Sequence, residues 1–150
     1  NTFLNSLNDI IDATHQQLND PSHIIITLGT SWVYRNIASN EIVANCHKVP
    51  QKEFTKELLS IQQIEESIEN IISLVHSVNP NCKFIFTVSP VRHIKDGFVE
   101  NNVSKAHLIS AIHKMVNNQS SVNYFPYFCT PNFSRMAQQV FRLFEAASRV

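Results

Sequence analysis

HIIITLGTSW (His23–Trp32) decides the fold: a continuous apolar, β-branched run is halted by a glycine and then turns polar. A run of that kind predicts a strand buried on both faces, as in a parallel sheet. KFIFTVSP (Lys83–Pro90) repeats the design, and Val122–Phe125 is a shorter third copy. Between the first two, Phe54, Leu58, Ile61, Ile64, Ile68, Ile71 and Val75 mark one face of a long amphipathic helix, ended by Asn79-Pro80-Asn81. Between the second and third, Val103, Ile109, Ile112 and Val116 point inward from a helix near Val103–Val116. Strand, helix, strand, helix, strand is the signature of right-handed crossovers in an α/β domain.

Outward from this frame, Leu4, Leu7, Ile11, Thr14 and Leu18 keep a helical spacing that Asp20-Pro21-Ser22 breaks. Thr30–Pro50 is a polar excursion in which Val33-Tyr34 and Ile42-Val43 pair as a small hairpin across Ala38-Ser39-Asn40. A last helix is expected over Phe133–Ser148, where Arg135, Arg142 and Arg149 form a solvated stripe. With no repeats and no linker, residues 1–150 read as one domain. Three parallel strands make a thin sheet with an apolar edge that invites pairing. The sheet is therefore expected to be incomplete, with self-association through that edge as one consequence.

Composition narrows the function. Of 150 residues, 43% are hydrophobic, enough for a real core. Twelve basic residues balance twelve acidic ones without clustering, which argues against nucleic acid or an anionic membrane as partner. No run approaches the roughly 18 apolar residues of a membrane span. Two glycines, Gly29 and Gly97, are too few for a phosphate-cradling loop. Cys46, Cys82 and Cys129 lack a C-x-x-C pair and read as free thiols, pointing to a reducing, cytoplasmic setting. The opening residues are too polar for a secretory signal.

Open parallel sheets bind ligands at the carboxyl ends of their strands. Here those ends are Gly29-Thr30-Ser31-Trp32, Ser89-Pro90-Val91-Arg92-His93 and Pro126-Tyr127. Gly29 lets a ligand approach the backbone and makes its neighbouring N–H groups candidates to face an oxyanion; the plainer reading is that it simply makes the turn. His93 is a candidate general base or anion donor, with Asp96 to orient it; the plainer reading is a loop histidine on a carbonyl. In Asn45-Cys46-His47-Lys48, Asn45 offers an oxyanion donor and His47 acid–base chemistry. Cys46 and His47 point to opposite faces of an extended chain and make a poor dyad. Zinc on Cys46, His47 and His93 has no recognised ligand spacing, so neither metal nor cofactor is expected. His15, His76, His107 and His113 lie on helices away from the strand ends and read as surface or boundary residues. No serine stands in a G-x-S-x-G elbow.

Three blocks carry a resemblance: ITLGTSWVYR (Ile26–Arg35), VANCHKVPQKEF (Val43–Phe54) and TVSPVRHIKDGFVENNVSKAHL (Thr87–Leu108). In unbroken order from Phe3 to Pro126, they resemble the bacterial GSCFA family, relatives of the SGNH (GDSL-like) hydrolases. The resemblance implies a flavodoxin-like, three-layer α/β/α fold with a parallel sheet. It also implies an ester hydrolase acting by serine attack, on an acylated carbohydrate among other candidates. Gly29 matches the SGNH glycine; Ser31 replaces the asparagine expected two residues later, leaving Asn45 as the substitute. His47, Ser89, Arg92 and His93 fall in the family's own blocks, with His93 and His47 as catalytic candidates. Gly29, Thr30, Ser31, Asn45, Ser89 and Arg92 are candidates for oxyanion and substrate contacts. The Gly-Ser-Cys-Phe-Ala motif itself and a C-terminal Asp-x-x-His do not occur, and residues 127–150 diverge. The expectation is a fragment bearing the oxyanion side of a site without its nucleophile. The alternative is a non-catalytic module holding an anionic or sugar-like ligand.

Overall fold

The computed structural model describes residues 2–44, 46–91 and 97–126. In order they form α1 (Thr2–Leu18), β1 (His23–Leu28), β2 (Trp32–Asn36), β3 (Ile42–Val43), β4 (Phe54–Leu58), α2 (Ile61–Val78), β5 (Lys83–Val88), α3 (Phe98–Asn118) and β6 (Val122–Tyr124). The chain is an α/β protein. β1, β5 and β6 make a parallel sheet in that order, and β3, β2 and β4 a small antiparallel one.

β5 is central and buried along its length from Phe84 to Val88. Its side chains alternate: Phe84, Phe86 and Val88 face one way and meet Ile64, Ile68 and Ile72 of α2 and Leu108, Ala111, Ile112 and Met115 of α3 in one core. Both crossover helices therefore cover the same face, as two successive right-handed crossovers in one direction require. Burying each large aliphatic or aromatic side chain there contributes about 1.5–3 kcal/mol.

β1 departs from the expectation of burial on both faces. Ile24, Ile26 and Leu28 pack on the core, whereas Ile25 is 52% exposed and Thr27 is exposed. Among the described residues β1 pairs only with β5, and an edge strand lacks neighbours on its outer side. α1 forms as the spacing predicts, but none of its residues is buried, and Phe3, Leu4, Leu7, Ile10 and Ile11 stand exposed.

The hairpin expected between Val33-Tyr34 and Ile42-Val43 is present, with Tyr34 opposite Val43 and Arg35 opposite Ile42. The helical reading of Phe54 and Leu58 is overturned: they lie on β4, antiparallel to β2, with Trp32 opposite Leu58. A four-residue spacing puts two side chains on one face of a helix and equally on one face of a strand. The boundary lies at Ser60, whose hydroxyl accepts the Gln63 N–H while the Gln63 side chain accepts the Ser60 N–H, a capping box that opens α2. Within α2 the inward residues are Ile64, Ile68, Ile72 and Val75 rather than Ile61 or Ile71.

α3 is longer than expected and turned differently about its axis. Val103 is 40% exposed, and the buried face runs through Asn101, Ser104, Lys105, Leu108, Ala111, Ile112 and Met115. Gly97 opens the helix with φ 98°, and a Cβ there would collide with the Glu100 carboxylate. The expected last helix, with Cys129 and the arginine stripe, lies outside the described residues. No described helix is long and apolar enough to cross a membrane, and Cys46 and Cys82 are free thiols.

Candidate functional site at the carboxyl end of β1

β1 and β5 end side by side. The Ser89 N–H donates to the Leu28 carbonyl at 2.9 Å, carrying the parallel ladder one step past both strands. The Ser89 hydroxyl accepts the Val91 N–H at 3.3 Å and shapes the turn through Pro90. Beyond Leu28 the chain is captured by the first turns of α3. The Ser31 N–H donates to the Ser104 hydroxyl at 2.8 Å, and the Ser31 hydroxyl donates to the Ser104 carbonyl at 3.1 Å. The Thr30 and Ser104 hydroxyls lie 3.0 Å apart, and Thr30 Oγ1 also accepts the Trp32 N–H at 3.2 Å.

Ser31 and Ser104 are each 1% exposed. Their hydroxyls face one another instead of solvent, so Ser31 holds the loop to α3, and Ser104 is a clamp inaccessible to substrate. The same helix fixes the other end of the excursion. The Leu59 N–H donates to the Ser31 carbonyl at 2.9 Å, closing the base of the small sheet. His107 Nδ1–H donates to the Leu59 carbonyl at 2.8 Å. His107, read from its helical position as a surface or boundary residue, is thus a half-buried tie.

Lys105 is the unusual member. It is 6% exposed, and its ammonium donates to the Gly29 carbonyl. Among the described residues no carboxylate forms a salt bridge with it, and burial pushes its pKa below the ordinary lysine value. Gly29 itself is open: among the described residues, a Cβ built there would meet nothing within 4 Å. In a trans peptide the C=O and the following N–H point in opposite directions. Holding the Gly29 carbonyl toward α3 therefore turns the Thr30 N–H away from it. Among the described residues, neither the Gly29 nor the Thr30 N–H is paired with a backbone acceptor.

The structure thus brings Gly29, Thr30, Ser31 and Ser89 together at two adjacent strand ends. His47 stands apart in sequence on the turn after β3, exposed, with His47 and Lys48 both at positive φ (46° and 65°). Asn45, Arg92 and His93 lie outside the described residues. Among the described residues no group of three His, Cys, Asp or Glu side chains is placed to hold a metal.

Asn101, Ser104 and Lys105 are the residues that sequence reasoning did not single out. Their signal is present: spaced i, i+3, i+4, they continue the stripe of Leu108, Ala111, Ile112 and Met115 toward the helix start. The buried stripe turns polar where the helix leaves the hydrocarbon core and meets the loop after β1.

Compared with known families, the chain matches the GSCFA family over residues 1–137 and belongs to it. Neither a curated protein nor a solved structure matches.

Proposed function

We propose that this chain carries the oxyanion and substrate-binding side of an SGNH-like hydrolase site that cleaves a small-molecule ester, with acylated carbohydrates among the candidate substrates. The attacking serine is assigned to the Gly-Ser-Cys-Phe-Ala block, which does not occur in these 150 residues. The observation that carries this reading is the carboxyl end of β1. An open glycine and two backbone N–H groups without a backbone acceptor among the described residues sit there, on a loop clamped by buried polar side chains of α3. Preorganised backbone donors beside open space are what a developing oxyanion requires, because they need not reorient as charge appears. His93 and His47 are the candidates for proton transfer; Asn45, Arg92 and Ser89 are candidates for holding the substrate.

The test is fluorophosphonate labelling of the full-length protein, read by intact mass, beside turnover of p-nitrophenyl acetate. Labelling at the serine of the Gly-Ser-Cys-Phe-Ala block, with turnover, supports the hydrolase. In the same protein His93→Ala is expected to lower turnover by at least about tenfold. Folded protein that neither labels nor turns over ester would instead favour a binding module that keeps the fold without the chemistry.

A further inference from the structure

Lys105 is expensive where it stands. A lysine that is 6% exposed, with no carboxylate salt bridge among the described residues, gives up hydration for a bond to a carbonyl. An apolar side chain of similar length would fill the same space without that penalty. Tethering the loop does not need the charge either, since Ser104 already holds Ser31 through its N–H and hydroxyl. What a cation adds at this atom is electrostatic. A positive charge on the Gly29 oxygen draws electron density through the peptide and makes the Thr30 N–H a stronger donor.

We propose that Lys105 is a positioning residue of this site: its ammonium fixes and polarises the Gly29–Thr30 peptide so that the Thr30 N–H stabilises the oxyanion. The inference rests on the hydrolase reading above. Substrate meets the Thr30 N–H, and Lys105 acts only through the peptide. Because the oxyanion forms in the transition state, the contribution falls on kcat and leaves KM almost unchanged. Loss of the proton from Lys105 removes the charge, so activity has an alkaline limb below the ordinary lysine range.

The experiment measures kcat and KM of full-length wild type, Lys105→Met and Lys105→Arg on p-nitrophenyl acetate from neutral to alkaline pH, with thermal unfolding of each. Lys105→Met is expected to lose at least about tenfold in kcat, below the 10²–10³ cost of removing a donor outright, with KM within about twofold. Lys105→Arg is expected to recover part of kcat and to lose the alkaline limb, since a guanidinium stays charged. A folded Lys105→Met with wild-type kcat, or one altered only in KM, overturns the assignment. So does a wild-type profile that stays flat through the lysine range, which needs no variant to fold. Absence of turnover in the wild type itself rejects the hydrolase reading, and this inference with it.

Discussion

The two halves of α3 are buried to the same degree and bury opposite things. Toward its C-terminus, Leu108, Ala111, Ile112 and Met115 enter the hydrocarbon core beside Phe84 and Phe86, with Ile112 wholly inaccessible. Toward its N-terminus, Asn101, Ser104 and Lys105 occupy the same face, and Ser104 and Lys105 hold backbone and hydroxyl groups at the end of β1. One half lowers the free energy of the fold. The other half carries desolvation penalties that packing alone would not retain. Equal burial therefore does not mean equal purpose. In the proposed site, the polar half exchanges fold stability for a fixed arrangement of donors.

Variants along this one helix sharpen the contrast. Ile112→Ala should lower unfolding free energy by about 2–5 kcal/mol, read from urea midpoints, with turnover per folded molecule unchanged. An equal loss of turnover would erase the distinction between the halves. Ser104→Ala leaves the buried Ser31 N–H without its acceptor and should cost about 1–3 kcal/mol. Here turnover per folded molecule should fall as well, because the loop after Gly29 is released.

The smallest effect is a pH slope. Burial holds the folded pKa of Lys105 below its ordinary value, so the folded chain gives up that proton before the unfolded chain does. Between the lowered value and the ordinary one near 10.4, the unfolded state binds more protons, and stability rises with pH. At neutral pH the retained charge works against folding. Wild type should therefore gain on Lys105→Met in urea midpoint as pH climbs through that window. A difference that is constant with pH would mean the ammonium is better hydrated than its surroundings indicate.

Much of the frame was legible because it depends on periodicity. HIIITL and KFIFTV read as parallel strands, and the hairpin around Ala38-Ser39-Asn40 was visible from its flanking pairs, Val33-Tyr34 and Ile42-Val43. Phe54 and Leu58 misled, since their spacing satisfies both periods; the S-x-x-Q box at Ser60 was the arbiter. Ile25 misled in another way: an apolar run does not say which side of an edge strand is left open.

The site was only half legible. The gathering of Gly29, Thr30, Ser31 and Ser89 at two adjacent strand ends follows from where the apolar runs stop, and the rule that strand ends bind ligands makes them candidates. What Ser31 does there is invisible in sequence, because its partner Ser104 lies 73 residues away. Lys105 stands in no motif or strand end that would single it out. Its place on the buried stripe, four residues before Ile109 and three before Leu108, was the clue.

In the proposed site the Gly29–Thr30 peptide faces the reacting oxygen. The most direct test is the amide NMR of full-length, 15N-labelled protein before and after phosphonylation. The account expects the Thr30 and Gly29 N–H protons to move strongly downfield as the phosphonyl oxygen takes the oxyanion's place, while Leu108 and Ile112 stay fixed. Unmoved Gly29 and Thr30 resonances in a fully phosphonylated protein would contradict it.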